Sequence, residues 1–435
     1  MKSRSSHSLS WPLIAVGTVW GGVLCLALAA CHDITSLDQE SPSRIKAEDL
    51  EKPENAGLLV QSAVGDFECA LNDYIVAAGS VADELANSNL SNRIWDFDRR
   101  TILPTNTVYS TSTCDDGDPT VYTVLSTARY EADHAIQLLD GWTDEQVPDR
   151  TALIATAAAY AGYSLVLLGE GMCSAALDVG PELTPAQILT EAEARFTRAI
   201  DLATTTGDSV TLNLALLGRA RARLGLGNKP GAGQDALLIP LGFRVDATRS
   251  GVKTQRENLV FTSLNRDLTY TVDVPFQADS FGGVPDPRVT VVDAGITGAD
   301  NATEMFITTK YPSITAPIAV AKWEEAQLIL AEADLAAGDV GGAVTIINTL
   351  HTNAGLPSYG GGTPEEVLAQ IIEERSRELF LEGQRLGDII RYGLALYPAP
   401  GTPFAVGGGF SGEYGTQVCF PLPAVERNNN PNIPD

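Results

Sequence analysis

Residues 321–356, AKWEEAQLILAEADLAAGDVGGAVTIINTLHTNAGL, decide the fold. They read as one helix, a turn at Ala337-Gly338-Asp339, and a second helix: a hairpin whose small residues let the helices cross and whose glycine makes the turn. The same pattern runs through residues 56–226. In VYTVLSTARYEADHAIQLLD (121–140), Leu125, Ala128, Ala132, Ala135 and Leu139 recur at spacings of three and four, one apolar helix face. TALIATAAAYAGYSLVLLG (151–169) is small and apolar almost throughout, so burial on most sides is expected. Thr184-Pro185 opens a further helix as N-cap and first helical position, and along it Ala192, Phe196 and Ala199 recur. VTLNLALLGRARARLGLGN (210–228) is helical again and ends at Gly225 and Gly227. The array resembles tetratricopeptide hairpins only in degenerate form, which the next stretches help to place.

Between the helical blocks, residues 240–316 carry β-branched residues, short alternation and Pro/Gly breaks, the pattern of short strands and long loops. The tail from residue 397 is rich in Gly, Pro and Asn and is not expected to form regular helix. The chain has 435 residues, 44% hydrophobic and 19% charged, enough apolar material for a core. Its 29 Lys+Arg stand against 55 Asp+Glu, a formal net charge of −26 that repels phosphate backbones and excludes nucleic acid as a partner. Four histidines (His7, His32, His134, His351) are too scattered for a zinc cluster, and no metal or cofactor is expected. The acidic turn Cys114-Asp115-Asp116-Gly117-Asp118 lacks the ligand spacing of a calcium loop and reads as solvated. Gly407–Gly412 fits G-x-G-x-x-G literally but has no strand–turn–helix context, so it reads as a glycine-rich loop.

The amino terminus reads as an address. Residues 1–10 are polar with Lys2 and Arg4, residues 11–30 are apolar and uncharged, and the run stops at Leu28-Ala29-Ala30-Cys31. L-A-A-C resembles the bacterial lipoprotein cleavage box, which implies a signal peptide over 1–30 and lipidation of Cys31. The small residues before Cys31 argue against an uncleaved spanning helix. His32 and Asp33 after the cleavage point favour the outer membrane, with attachment through the lipid anchor alone. Residues 31–55 read as the lipidated tether. Four cysteines remain in the exported chain: Cys69, Cys114, Cys173 and Cys419 allow two disulfides in three connectivities. Cys69 and Cys114, nearest in sequence, are the first pair to expect.

Residues 371–391, IIEERSRELFLEGQRLGDIIR, read as a helix of interleaved charges. At three-residue offsets Glu374 meets Arg377, Glu382 meets Arg385, and Asp388 meets both Arg385 and Arg391. Gly383 lets another backbone approach. An enzyme would use Glu374, Glu378 and Glu382 as acid/base groups; a structural ion-pair network is the preferred reading. The pattern E-R-x-R-E-L-x-x-E-G-x-R-x-x-D-x-x-R, carried by Glu374, Arg375, Arg377, Glu378, Glu382, Gly383, Arg385, Asp388 and Arg391, resembles the signature of the SusD/RagB family. Asp286-Pro287-Arg288, Lys310-Tyr311-Pro312, Lys322-Trp323-Glu324-Glu325-Ala326, Asn348, Gly355-Leu356 and Phe420-Pro421-Leu422-Pro423 with Asn430-Pro431-Asn432 follow the family's order. His351 stands where that family usually has arginine.

The resemblance implies a mainly α, SusD-like fold of tetratricopeptide-like hairpins with long loops and a few short β-strands. It would form a single domain over 56–435, with a helical-hairpin half (56–239), a loop- and strand-rich segment (240–316), and signature helices with a loop tail (317–435). It also implies a surface lipoprotein that binds an oligosaccharide or peptide and serves a SusC-like TonB-dependent transporter, without catalysis. Sugar recognition uses flat aromatics and polar side chains. Trp323 and Trp142 read as packing residues. Trp95, in the polar stretch NSNLSNRIWDFDRRT (87–101) with Asp96, Asp98 and Arg99, is the leading contact, and Tyr109, Tyr270, Phe281 and Tyr311 are further loop aromatics. The other readings are a tetratricopeptide-type envelope scaffold that binds proteins and a lipid-anchored glycoside hydrolase.

Overall fold

The computed structural model describes residues 46–114, 117–406 and 410–434. The signal, Cys31, most of the tether, Asp115-Asp116 of the acidic turn and Gly407–Gly409 of the glycine-rich loop lie outside the described residues. Residues 51–435 cluster as one compact unit.

Its frame is a run of helices in which each packs on the next: α1 (Ala56–Val81), α2 (Tyr122–Gly141), α3 (Arg150–Gly171), α4 (Pro185–Thr206), α5 (Ser209–Gly225) and α6 (Lys229–Ala236). The array resumes with α6 against α7 (Trp323–Ala336), followed by α8 (Val340–Ala354) and α9 (Pro364–Glu378), which both pack on α7. The expected faces are the buried ones: Leu125, Ala128, Ala132, Ala135 and Leu139 on α2, and Ala192, Phe196 and Ala199 on α4. The helix starts are capped as expected. Thr184 and Gln187 form a reciprocal capping box at α4, and Pro185 occupies the first turn. Between α7 and α8, Gly338 takes a positive φ of 87° and Asp339 caps the Gly342 amide, so the expected turn at Ala337–Asp339 is formed.

Helix α3 is long and apolar enough to cross a membrane, yet most of it is buried in the protein. Its neighbours explain why it needs small residues. The Phe196 ring of α4 lies between Gly162 of α3 and Gly218 of α5; a Cβ added at Gly162 would sit 2.7 Å from the ring, and one at Gly218 closer still. Glycine at both positions makes room for a bulky ring at the crossing, where it meets Tyr163 edge-on at 5.1 Å.

Residues 237–322 interrupt the array with short antiparallel strand pairs and loops. Arg244–Ala247 pairs with Ile318–Lys322, so the segment leaves and re-enters the frame side by side. Tyr270–Val272 pairs with Leu85–Asn87 and fastens it just beyond α1. Two disulfides, Cys69–Cys114 and Cys173–Cys419, are formed, the first being the pair expected from proximity. In the tail, Pro403–Val406 pairs with Phe410–Glu413, and a six-residue helix at Ala424–Asn429 departs from the expectation of no regular helix.

One continuous helix over 371–391 is not formed. Helix α9 stops at Glu378 and α10 (Arg385–Tyr392) starts afresh. Between them Phe380 and Leu381 turn into the core, and Leu381 and Gly383 take positive φ values of 53° and 74°. A side chain at Gly383 would press on Tyr74 and Ile75 of α1, at 3.2 Å. The backbone groups freed by the break find buried partners: the Leu381 amide donates to Glu84 at 2.7 Å, and its carbonyl accepts from the Tyr311 hydroxyl at 3.0 Å. Core burial of Phe380 and Leu381 outweighs the local helical pattern.

Candidate functional site

The signature charges form a network, but across the fold rather than along one helix. Glu374 accepts hydrogen bonds from Arg288, His351 and Gln370, each at 2.7 Å. Arg377, its expected partner, pairs instead with Asp279 at 2.8 Å and with Glu373. Glu382 accepts from Lys310 at 2.7 Å and Lys322 at 2.9 Å, and Glu378 lies 3.3 Å from Lys322. Arg385 reaches Asp83, just beyond the end of α1, through two bonds of 2.7 Å. Asp388 accepts from Arg375 and Arg391 at 2.8 Å each, so only the Asp388–Arg391 offset pair is formed as read. Arg391 also grips Glu332 of α7 at 2.7 and 2.9 Å. The other offset pairs fail because these side chains point into the core, where a charge must meet whatever cation or anion the chain path brings.

The electrostatics follow from this pairing. Burial pushes the Glu382 carboxyl up, but the Lys310 and Lys322 ammoniums outweigh it and hold the group below the usual range. Burial likewise opposes ionisation of Glu374, and the His351 and Arg288 bonds overcome it. His351 presents both ring nitrogens to acceptors, the Pro357 carbonyl and the Glu374 carboxylate at 2.7 Å each, which is the arrangement of an imidazolium. A single imidazolium thereby ties the Pro357 carbonyl to the Glu374 carboxylate. Buried and saturated by cations, Glu374 and Glu382 have no proton traffic to offer a substrate.

The aromatic residues expected as sugar platforms sit in packed positions. Trp95 is on a short helix, Asn92–Asp98, not in a loop; it is 7% exposed, packs on Phe404 and Tyr414, and donates to the Asn89 carbonyl at 2.7 Å. Tyr109 and Tyr270 are buried, Tyr109 against Phe420, and Tyr311 is buried with its hydroxyl on Leu381. Phe281 meets His351 edge-on at 4.4 Å. Asp98 is buried, accepts from the Asn87 amide at 2.8 Å, and is pushed up to about 7 by burial. Asp96 accepts from Arg99 at 2.8 Å and from Thr101 and Asn106 at 3.3 and 3.4 Å. The tail clamps this whole segment: Arg100 donates to the carbonyls of Tyr397 and Pro398, and the Gly415 amide bonds to Arg99. Polar residues that mimic a solvated loop in sequence are here bonded to one another and to the tail.

An open cleft lies elsewhere. Ser62, Gly65, Asp66 and Cys69 of α1 form one wall, Thr113, Cys114, Thr123 and Thr127 a second, and the loop Lys253–Arg256 a third, around about 480 Å³. The Cys69–Cys114 disulfide is its floor, shared with a narrower slot that continues towards Asn72, Glu257, Arg266 and Asp267. Arg256 is held by Glu68 and Thr248, which fixes the loop to α1. Burial and the neighbouring Glu131 push the Asp66 carboxyl up to about 6. The walls thus offer hydroxyls, an amide, a carboxyl and an ammonium, donors and acceptors together. Cys69, Asp73 and Cys114 also converge here, but the two sulfurs are bonded to each other and leave no thiolate for a metal. Single-sequence reading missed this site because its serines and threonines are ordinary residues; the one signal for it was the proximity of Cys69 and Cys114.

The sequence model of the SusD family matches residues 325–433, which bears out the SusD/RagB resemblance. No curated protein matches the chain. Among solved structures, a SusD superfamily protein from Bacteroides vulgatus aligns at 17% identity, covering 88% of this chain and 98% of its own, with a TM-score of 0.65. A SusD-like carbohydrate binding protein from the same organism aligns at 15%, covering 88% and 97%, TM-score 0.65. A laminarin binding SusD-like protein aligns at 15%, covering 86% and 98%, TM-score 0.64. The fold is the one these proteins share.

Proposed function

We propose that this SusD/RagB-family chain captures a soluble oligosaccharide at the cell envelope and hands it, chemically unchanged, to a TonB-dependent outer-membrane transporter. The observation that carries the reading is the polar cleft over the Cys69–Cys114 disulfide. Its volume of about 480 Å³ falls within the usual range of small-molecule sites, roughly 300–1,000 Å³. Helices α1 and α2 and the loop Lys253–Arg256 hold most of its donors and acceptors, and the two helices fix the positions of Ser62, Asp66, Thr123 and Thr127. Sugar hydroxyls both donate and accept, which is what Ser62, Asp66, Thr123, Thr127, Lys253 and Gln255 call for. Two similar structures bind carbohydrate, one of them laminarin, which supports the ligand class. Among the described residues no aromatic lines the cleft, so hydrogen bonding rather than ring stacking supplies the recognition. Lipid chains on Cys31 hold the protein at the outer membrane, facing outward.

The test is an array of oligosaccharides and peptides on the purified protein, followed by titration of the best hit. Thr127 is an exposed residue on the cleft wall, and Thr127→Trp fills the opening. The variant should bind the hit about tenfold more weakly with an unchanged melting temperature. Wild-type affinity in that variant would move the site elsewhere. Cleavage of the bound sugar would overturn the non-catalytic reading, and a chain that binds peptides alone would favour the scaffold alternative.

A further inference from the structure

A second cavity, about 230 Å³, opens where the C-terminal end of α3, the start of α4 and the end of α5 meet the turn into α10 and α10 itself. It shares no lining residue with the polar cleft. Its floor is made of nitrogen donors. Arg375 is buried, spends Nε on Asp388 at 2.8 Å and Nη2 on Gln384 at 3.2 Å, and leaves Nη1 with no partner. Arg221 places Nε and Nη2 on the two oxygens of Glu170, and Nη2 also reaches the Gly383 carbonyl. No acceptor meets its Nη1 among the described residues. The Gln384 amide oxygen is taken by Arg375, which turns its NH₂ group the other way.

The acceptors of the same cavity are all engaged. Both Glu170 oxygens take Arg221, and both Asp388 oxygens are taken, by Arg375 and Arg391. The acids and guanidiniums that line the cavity therefore neutralise one another; one further acid, the buried Glu325, interacts with Arg221 and Arg375, and burial pushes its carboxyl up to about 7, towards the neutral form. What is left over is directional: N–H groups without acceptors, of which Arg375 Nη1 is buried, where an unmade bond costs about 1–3 kcal/mol. The rim is apolar, from Pro185, Ala186, Leu189 and Ile390, the last 45% exposed. We infer that this cavity is a second binding site, distinct from the polar cleft, and that it takes a carboxylate whose oxygens accept from Arg375 Nη1, Arg221 and Gln384 while the apolar rim covers the carbon attached to it. Charge-assisted bonds to guanidinium are the strong class of hydrogen bond, and a carboxylate supplies two oxygens for them. The carboxylate comes either from a small free acid or from the end of a peptide chain.

Titration calorimetry with sodium acetate, and with acetyl-Ala-Ala-Leu as the free acid and as its C-terminal amide, tests the inference on the purified protein. The acid form should bind about tenfold more tightly than the amide. Acetate binding as tightly as the peptide acid assigns the site to small acids, and a tenfold preference for the peptide acid assigns it to chain ends; either upholds the site. Ala186, exposed on the rim, gives a variant that leaves the donors in place. Ala186→Trp should lose about tenfold in affinity for the peptide acid while the melting temperature and binding at the polar cleft stay unchanged. Absence of saturable binding by all three probes, equal affinity for acid and amide, or wild-type affinity in Ala186→Trp would each overturn it.

Discussion

The hairpin array around α3, α4 and α5 and the signature around α9 and α10 solve the same problem by opposite means. In the array, Phe196 fits between two glycines, and the contact depends on shape. In the signature, Glu374, Glu382, Arg385 and Asp388 are held by charges that come from Arg288, Lys310 with Lys322, Asp83, and Arg375 with Arg391. Shape tolerates small errors at a cost that grows with the misfit. A buried ion pair does not: removing one member leaves its partner charged and dry. The loop-rich segment is pinned to the frame through the second kind of contact, since Arg288, Lys310 and Lys322 all lie on or beside it.

The contrast can be broken most forcefully at Glu382. Glu382→Gln leaves Lys310 and Lys322 without their shared carboxylate, and stability in chemical denaturation should fall by about 3–5 kcal/mol. The half-exposed Glu373, changed to Gln as a control, should cost within about 0.5 kcal/mol. Equal losses in the two variants would mean that burial of the pairs is not what holds the signature. A smaller effect is expected in the array. Gly218→Ala forces a methyl against the Phe196 ring and should cost about 1–3 kcal/mol, in part restored by Phe196→Leu. No loss in Gly218→Ala would show that the crossing can spread, so that its fit is loose.

The smallest effect is a pH dependence, and it sharpens the role of His351. Although burial disfavours its charge, the Glu374 and Pro357 bonds raise its pKa above the ordinary 6.5. A group with a raised folded pKa contributes in full below the unfolded value and loses its contribution as pH rises through the folded one. Stability should therefore decline by about 1 kcal/mol as pH is raised above 6.5. His351→Gln should flatten that decline, as read by melting temperature across the range. On the acid side the partner behaves in reverse: Glu374 has a lowered pKa, so its contribution is present above 4.5 and lost as pH falls through the folded value. An unchanged alkaline slope in His351→Gln would assign the slope to another group.

Periodicity and capping were legible because they are local. A helix repeats every 3.6 residues whatever it packs against, so Leu125 to Leu139, the Thr184 cap and the Ala337–Asp339 turn could be read from spacing alone. The small-residue run of α3 told of burial for the same reason. Ring exposure was not legible. Trp95 and Tyr109 lie among polar neighbours, and only the tail folding back over residues 92–101, with Phe404, Tyr414 and Phe420, decides that their rings are covered. The polar cleft was equally hidden, because it assembles α1, the start of α2 and the loop at 253–256 from positions far apart in the chain.

Sequence by itself determined the helical hairpins, the small-residue crossings, the four cysteines available for two disulfides, and which residues of 371–391 carry charge. Tertiary structure alone decided where that stretch breaks, which cation answers each carboxylate, and which donors are left facing a cavity. Local backbone preference is set by neighbours three and four residues away, whereas a buried charge takes its partner from whatever distant segment the folded path brings within about 3 Å.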